Sequence, residues 1–330
     1  MHRLRARAAV CAALWLAVAG WPGGRPLAAP ACQLTGVDRI VAVGDVHGAY
    51  DRYVEILRIA GLLDDRLRWT GGRAHLVQLG DIVDRGPDSL KALDLLERLE
   101  KDAARAGGAV HALLGNHEVM RMLGDVRFVT AGEYEAFTTS RSTEIRTEYV
   151  KAEPALPLPQ LGFVEMRQAF GRNGRYGTWL RSHDAVVEIN GVVFVHGGIS
   201  PALADLSCDA INEAVRKSLT AGFDDLRRDP PSQLATRVDG PLWYRGLAEE
   251  PETFAPTVDD ILSRRKARAI VIAHTVTPDR RVRARFGAKV IQIDTGMQPA
   301  YVPDGRASAL EISQATISAI YADRREVIAK

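Results

Sequence analysis

Short apolar runs that end in a polar turn recur along this chain of 330 residues. Residues 39–43, 74–79 and 109–114 are three such runs, and their β-branched residues and leucines indicate buried strands. Apolar residues at helical spacing follow the first two runs, at Tyr50, Tyr53, Val54 and Leu57 and then, after Pro87, at Leu90, Leu93, Leu96 and Leu99. This alternation predicts a parallel sheet covered by helices, with the functional site beyond the carboxyl ends of the strands.

The pattern changes after the third strand. Residues 120–180 are polar, aromatic and rich in arginine and glutamate, with helical pieces at 133–137 and 143–151 and several prolines over 153–160. This stretch predicts either an α-helical insertion that stands over the site or a plain structural excursion.

Strand patterns return in the second half of the chain. Asn190-Gly191 is a pair typical of a two-residue hairpin. It joins the first two of five further apolar runs, at 185–189, 192–195, 269–273, 289–293 and 307–312. A helix is expected over 209–219 and a loop over 223–237. The later runs predict a second, antiparallel set of strands, so that two layers of sheet have helices outside them.

The amino terminus has the pattern of an export signal. Arginines at positions 3, 5 and 7 precede an apolar run over residues 8–20, and small residues follow up to Ala31. This order is typical of a signal peptide of residues 1–31, whose removal leaves a domain of residues 32–330 in the periplasm or outside the cell. A retained membrane anchor is the alternative, but the apolar run is shorter than the roughly 20 residues of a membrane span.

Charge limits the class of partner. The whole chain has 43 Lys and Arg residues against 41 Asp and Glu residues, and removal of the leader takes away four arginines and no acidic residue. The remaining domain has a net charge of about −2, which argues against a nucleic-acid-binding surface. The whole chain has a hydrophobic content of 46%, which is that of an ordinary globular enzyme, and the oligomeric state is left open.

Two cysteines follow the predicted leader, Cys32 and Cys208. In an oxidising compartment they could form a disulfide, and two unpaired thiols are an equally good interpretation. A third is a lipid on Cys32, as in bacterial lipoproteins, although Ala29 stands where such signals usually have leucine.

Three motifs follow the first three strands in order: Gly44-Asp45-Val46-His47-Gly48, Gly80-Asp81-Ile82-Val83-Asp84-Arg85-Gly86 and Gly115-Asn116-His117-Glu118. Two later turns carry further histidines, Val195-His196-Gly197-Gly198 and Ala273-His274-Thr275. Each motif alone has an ordinary explanation, such as a turn or a helix cap. Together, each at the end of an apolar run, they predict a site for two metal ions that hydrolyses phosphate esters.

Six candidate metal ligands share this position after an apolar run: Asp45, His47, Asp81, Asn116, His196 and His274. Asp81 is the best candidate for a carboxylate that bridges both metals. Carboxylate, amide and imidazole ligands suit Mn²⁺, Fe and Zn²⁺ alike, so the sequence predicts two divalent ions per chain without fixing their identity.

The motifs resemble the signature of the PPP-type metallophosphatases, a group of calcineurin-like phosphoesterases that includes many Ser/Thr protein phosphatases. Within that group the chain is most similar to the Shewanella-like phosphatases of bacterial type, over about residues 38–315. The stretches that carry this similarity include Gly124-Asp125-Val126-Arg127-Phe128-Val129, Glu133-Tyr134, Pro241-Leu242-Trp243-Tyr244-Arg245-Gly246 and Asp294-Thr295-Gly296-Met297. The resemblance implies an α/β fold, a four-layer αββα metallophosphoesterase sandwich with an α-helical insertion near the active site.

The resemblance also implies residue roles. Asp45, His47 and Asp81 would hold one metal, and the other would be held by Asp81, Asn116, His196 and His274. His117 would be the general acid, oriented by Asp84, and the phosphate oxygens would be bound by Arg85, Asn116 and Arg245. For Arg245 a structural pairing with a carboxylate is the alternative. The family is usually assayed with manganese.

The implied activity is that of an exported phosphoprotein phosphatase that acts by direct attack of a metal-bridging hydroxide, without a phospho-enzyme. Its substrate would be a phosphotyrosine or phosphoserine/threonine protein or peptide, or a small phosphoester. A dinucleoside tetraphosphate hydrolase with the same site is the main alternative. A phosphodiesterase or nuclease fits the sequence less well, because no basic groove is evident. A non-enzymatic metal-binding module also fits less well, because every expected ligand and the general acid are present.

Overall fold

The computed structural model describes residues 32–220, 233–314 and 316–330, so the predicted leader lies outside the described residues. Helices in chain order are α1 (Tyr50–Ile59), α2 (Ser89–Arg105), α3 (Asn116–Leu123), α4 (Ala131–Ala136), α5 (Ser142–Ala152), α6 (Phe163–Phe170), α7 (Arg175–Leu180), α8 (Cys208–Thr220), α9 (Gly246–Glu249) and α10 (Ala255–Arg265). Short 3₁₀ turns occur at Pro201–Leu203 and Glu252–Phe254.

Among the described residues, twelve strands form two six-stranded mixed sheets. In chain order they are β1 (Gln33–Leu34), β2 (Arg39–Val43), β3 (His75–Gln78), β4 (Ala109–Ala112), β5 (Val186–Ile189), β6 (Val192–Val195), β7 (Ala269–Ile272), β8 (Arg283–Arg285), β9 (Val290–Gln292), β10 (Ser308–Ser313), β11 (Thr316–Tyr321) and β12 (Arg325–Ala329). The first sheet has the order β12-β11-β10-β2-β3-β4 and the second has the order β1-β5-β6-β7-β9-β8.

Most of the expected elements are confirmed. The three opening strands are parallel neighbours, and the hairpin at Asn190-Gly191 joins the antiparallel strands β5 and β6. The helix expected over 209–219 is α8. The loop expected over 223–237 lies partly outside the described residues, and a turn occupies 234–236.

The expected antiparallel set of later strands is wrong in its pairing. β9 lies parallel to β7 in the second sheet, whereas β10 crosses to the first sheet and pairs antiparallel with β2. Both runs are short, and a short run carries no signal for the identity or direction of its partner strand.

Alternate residues of the central strands enter two different cores. On β2, Ile40 and Ala42 contact the apolar layer between the sheets, whereas Val41 and Val43 face the layer under the helices. The same alternation on β7 sends Val271 between the sheets. Successive side chains of a strand point to opposite faces of its sheet. A buried strand with two apolar faces therefore lies between the other sheet on one side and a layer of helices on the other.

The stretch 120–180 is helical, as predicted. It begins within α3 and continues through α4, α5, α6 and α7, without a strand. α6 packs against α3, and α4 packs against α2. The insertion is therefore attached to the two helices that flank the second and third motifs.

A disulfide joins Cys32 to Cys208, with their Cα atoms 6.1 Å apart. Both cysteines are buried, at 2% and 1% exposure. Of the three interpretations left open by the sequence, the structure shows the disulfide. It ties β1, at the edge of the second sheet, to the first turn of α8. Among the described residues, no helix is both long and apolar enough to cross a membrane.

We expect replacement of Cys208 by serine to lower the free energy of unfolding by about 2–4 kcal/mol, because the disulfide restricts the unfolded chain across 176 residues. Urea denaturation of the oxidised protein measures this change. A reductant should lower the stability of the wild type to that of the variant and leave the variant unaffected. Equal stability of oxidised wild type and variant would contradict the prediction.

Candidate metal centre

Polar residues follow the carboxyl ends of six strands, three from each sheet. β2, β3 and β4 are parallel to one another, and so are β6, β7 and β9. Parallel strands place their carboxyl ends at the same edge of a sheet, and here the two edges adjoin. The residues that follow these ends are Asp45 and His47, Asp81, Asn116, His196, His274 and Asp294.

A cavity of about 150 Å³ lies at this edge. Nine polar residues line it: Asp45, His47, Asp81, Arg85, Asn116, His117, Arg245, His274 and Asp294. Three aromatic residues complete its wall, Phe128, Trp243 and Tyr301. The structure thus brings together eight of the ten predicted site residues around one cavity. The other two, Asp84 and His196, are completely buried and contact members of this lining.

Asp81 lies at the centre of the candidate ligands. Its Oδ2 is 3.3 Å from Nε2 of His196, 3.7 Å from Nε2 of His47 and 3.8 Å from Nε2 of His117. Two groups could each hold a metal ion, His47 with Asp81 and His117, and Asp81 with His196 and His274. A carboxylate shared by both groups occupies the position that a bridging ligand requires.

The histidines present unprotonated nitrogens to this centre. Nδ1 of His47 donates to the carbonyl oxygen of Val83 at 2.9 Å, and Nδ1 of His196 donates to that of Leu79 at 2.7 Å. A backbone partner on Nδ1 fixes the tautomer and leaves the lone pair on Nε2, as in metal-binding histidines. Nε2 of His274 is buried without a hydrogen-bond partner among the described residues.

Burial keeps two of these rings neutral. It lowers the pKa of His47 to about 4. Burial, with the neighbouring His196, lowers the pKa of His274 to about 2. Nε2 of His196 faces Oδ1 of Asn116 at 3.0 Å, so that two acceptor atoms point at each other. A cation between acceptors would remove that mismatch.

Three buried carboxyl groups share the cavity. Burial, with the nearby Asp294 and Asp81, raises the pKa of Asp45 well above its usual range. Burial raises the pKa of Asp294 to about 6. Burial also acts to raise the pKa of Asp81. The neighbouring His196 and His117 outweigh this effect and lower the pKa of Asp81 well below its usual range. Such a cluster of acids with neutral imidazoles fits divalent cations, which would offset the repulsion.

His117 and Asp84 form a buried pair. Nδ1 of His117 donates to Oδ2 of Asp84 at 2.6 Å. Burial acts to lower the pKa of His117, but the Asp81 and Asp84 carboxylates prevail and raise it. Since Nδ1 is occupied, Nε2 is the atom that His117 presents to the cavity.

Two arginines face the same cavity. The guanidinium of Arg85 lies between two rings, with its Cζ 3.7 Å from the centroid of Tyr301 and 4.7 Å from that of Phe128. Nη1 of Arg245 donates to the carbonyl oxygen of His274 at 3.1 Å and to Oγ1 of Thr275 at 2.8 Å. Among the described residues Arg245 forms no ion pair, so the alternative of a structural pairing with a carboxylate finds no support there.

The backbone at the site is unusual. Of the twelve non-glycine residues with left-handed backbone angles among the described residues, five are predicted site residues: His47, Asp81, Asp84, Arg85 and His274. Such conformations cost free energy and concentrate at functional sites. The flanking glycines are equally constrained, since a Cβ on Gly80 would lie 2.2 Å from the backbone nitrogen of Gly115, and one on Gly115 would lie 2.2 Å from Oδ1 of Asp81.

Glu118 fixes the spacing of these turns. Its Oε2 accepts hydrogen bonds from the backbone N–H groups of Asp81 and Gly115, and its Oε1 accepts one from Ile82, each at 2.8 Å. This carboxylate therefore ties the turn after β3 to the turn after β4. Glu118 belongs to the third motif, and no local signal in the sequence identifies this link between the two turns.

Other residues of the site were missed as functional residues. Asp294 follows β9 in the pattern that identified the ligands, so a strand-end signal was present. The aromatic wall of Phe128, Trp243 and Tyr301 comes from three separate loops. Arg121 and Glu133 contact Asp84 from α3 and α4. Arg121 lies four residues after His117, a spacing that places both on one face of a helix.

Comparison with known proteins agrees with this geometry. Residues 38–278 match the calcineurin-like phosphoesterase family. The chain is 31% identical over 299 residues to Shewanella-like protein phosphatase 2 of Arabidopsis thaliana, a match that covers 83% of this chain and 75% of the relative. It is 26% identical over 263 residues to Shewanella-like protein phosphatase 1 of Plasmodium berghei, covering 78% and 67% of the two chains.

A solved structure is also similar. The cold-active protein-tyrosine phosphatase of a psychrophilic Shewanella species superposes with a TM-score of 0.74 at 30% sequence identity, and covers 90% of this chain and 82% of its own. The α/β metallophosphoesterase fold implied by the motifs is confirmed.

We expect Glu118→Gln to lower the free energy of unfolding by about 1–3 kcal/mol, because either orientation of the amide points its NH₂ group at a backbone N–H and leaves buried donors unpaired. Urea denaturation in the presence of a chelator isolates this effect from metal binding. Glu55→Gln, an exposed change on α1, is the control and should stay within about 0.5 kcal/mol. Equal stability losses for the two variants would contradict the anchoring role of Glu118.

Proposed function

This chain belongs to the calcineurin-like phosphoesterases, and from that membership we propose that it is an exported phosphoprotein phosphatase with a dinuclear metal centre that prefers phosphotyrosine. The observation that carries the proposal is one cavity of about 150 Å³ that combines the candidate metal ligands, two arginines, a histidine–aspartate pair and an aromatic wall. These parts correspond to the needs of phosphomonoester hydrolysis.

The ligand sets proposed for the two metals follow the motifs. Asp45, His47 and Asp81 would hold one ion, and the other would be held by Asp81, Asn116, His196 and His274. Two divalent ions bound there would offset the charge of a phosphate and generate a hydroxide from bound water at neutral pH. Manganese is the first ion to test, and iron and zinc fit the same donors.

The chain's own groups supply the remaining steps. Arg85 makes no side-chain hydrogen bond to another described residue, so its forked N–H groups are available to phosphate oxygens. Arg245, anchored beside His274, would bind the phosphate from the other side of the cavity, and Asn116 would add an amide. His117, held at Nδ1 by Asp84, would donate its Nε2 proton to the leaving oxygen.

The aromatic wall supports phosphotyrosine as the substrate. Phe128, Trp243 and Tyr301 give the cavity an apolar, flat-sided wall next to Arg85. A tyrosine ring gains contact with such a wall, about 0.5–1.5 kcal/mol per aromatic pair beyond area burial, which the short side chain of phosphoserine does not. The Shewanella relative at 30% identity is named a protein-tyrosine phosphatase.

Export is the second part of the proposal. The disulfide between Cys32 and Cys208 supports an oxidising compartment such as the periplasm. A sulfur atom in a disulfide has no bond free for a lipid, so the pairing argues against the lipid-anchored alternative.

We expect the mature chain with Mn²⁺ to hydrolyse phosphotyrosine peptides with at least about tenfold higher kcat/KM than phosphoserine or phosphothreonine peptides. His117→Asn should reduce kcat by about 10²–10⁴-fold, the usual contribution of a general acid. Asp81→Asn should abolish activity together with metal content.

Trp243→Leu should lower the ratio of kcat/KM for phosphotyrosine peptides to kcat/KM for phosphoserine peptides by about 3–10-fold, the equivalent of one aromatic contact.

A dinucleoside tetraphosphate belongs in the same panel. Turnover of that compound alone would remove the protein-phosphatase proposal and keep the site. Activity that survives both His117→Asn and Asp81→Asn would mean that the site is wrongly placed. Metal binding without hydrolysis of any phosphomonoester would favour a binding module.

For export, we expect the full chain produced in a Gram-negative bacterium to appear in the periplasmic fraction, with an intact mass that corresponds to loss of residues 1–31 and one disulfide. A retained leader or an added lipid mass would contradict this expectation. The Cys208→Ser variant is the matched control, because it should be cleaved at the same place and lack the disulfide.

A further inference from the structure

Arg121 is a completely buried cation next to the predicted general acid. Its side chain on α3 is 1% exposed. Nη2 donates to Oδ1 of Asp84 and, at 2.9 Å, to Oε1 of Glu133. Nη1 lies 3.1 Å from the sulfur of Met166 on α6. A charge buried this deeply is stable only because both carboxylates pair with it.

Glu133 is the second half of this arrangement and comes from α4 in the insertion. Its Oε1 accepts from the backbone N–H of Asp84 at 3.0 Å and from Oγ of Ser89 at 2.5 Å, besides Arg121. Its Oε2 accepts from the backbone N–H of Thr130 at 3.0 Å, which caps α4. One carboxylate thus joins the second motif, α2, α3 and the insertion.

These contacts leave Asp84 no freedom to rotate. Oδ2 accepts from His117 and Oδ1 accepts from Arg121, and its backbone N–H is held by Glu133. The orientation of the His117 ring depends on the plane of the Asp84 carboxylate. That plane is set from behind by Arg121, which is itself fixed by Glu133.

We propose that Arg121 and Glu133 are positioning residues that align Asp84, and through it His117, for protonation of the leaving oxygen. The insertion is then part of the catalytic apparatus, because it supplies Glu133. This inference rests on the proposed function, in which His117 is the general acid. Neither residue lines the cavity, and both contact Asp84, so the Asp84–His117 pair is the route through which they would act.

Leaving-group dependence distinguishes a positioning role from a general structural role. An aryl phosphate with a stable leaving anion, p-nitrophenyl phosphate, needs little protonation, whereas an alkyl phosphate such as benzyl phosphate depends on it. A misaligned acid therefore slows the alkyl ester more than the aryl ester. Loss of folding or of metal slows both equally.

The variants are Arg121→Gln and Glu133→Gln, measured for kcat and KM on both esters with the Mn²⁺-loaded enzyme. We expect kcat for benzyl phosphate to fall by about 10–100-fold, as for other groups that orient a functional residue, and kcat for p-nitrophenyl phosphate to fall by less than about fivefold. KM should change little. Arg121→Lys keeps the positive charge but lacks the forked guanidinium group. Its kcat for benzyl phosphate should therefore lie between that of Arg121→Gln and that of the wild type.

Arg167→Gln is the matched control, since Arg167 is an exposed arginine of the same insertion whose side chain donates to the carbonyl oxygen of Gly124 and lies over the ring of Phe163. Its ratio of kcat values for the two esters should equal that of the wild type. Equal losses on both esters, or none, in both Arg121→Gln and Glu133→Gln would overturn the inference. If Arg121→Gln fails to fold, Glu133→Gln decides alone. Failure of the wild type on both esters would instead reject the proposed function.

Discussion

Three carboxylates, Asp45, Asp81 and Asp294, are buried around one small cavity, and their mutual repulsion is the constraint on which the rest of the site depends. Burial and like charge raise the pKa of Asp45 and that of Asp294, so the cluster is electrostatically unfavourable by itself. Neutral imidazoles with oriented lone pairs complete a set of donors that cations would stabilise. A site of this kind must be held together by the surrounding backbone, because its own charges push it apart.

The fold supplies that restraint at the strand ends. The carboxyl ends of three parallel strands from each sheet meet at one edge, and the turns that follow adopt left-handed angles at residues such as Asp81 and His274. Glu118 joins two of these turns through hydrogen bonds from the backbone N–H groups of Asp81, Ile82 and Gly115. The site is therefore rigid because strained turns are bonded to each other, and the two large cores of the sandwich offset their cost.

Residues that are distant in sequence complete the site around this centre. The insertion contributes Phe128 to the wall and Glu133 to the support of Asp84, and the loop after β9 contributes Tyr301, which stacks on Arg85. The disulfide between Cys32 and Cys208 joins the edge strand β1 of the second sheet to α8 and does not contribute to this cavity. Stability at the periphery and geometry at the centre thus depend on different interactions.

The sequence by itself determined the opening strands and helices, the helical insertion, the family and the residues at the strand ends, because those signals are local: apolar periodicity, turn glycines and short motifs at fixed spacing. Only the tertiary structure decided that β9 and β10 belong to different sheets, that Cys32 pairs with Cys208, and that Arg121 and Glu133 stand behind Asp84. Strand partners, disulfide pairs and buried ion networks join residues that are far apart along the chain. Their energies come from packing and burial in three dimensions, which no short stretch of sequence encodes.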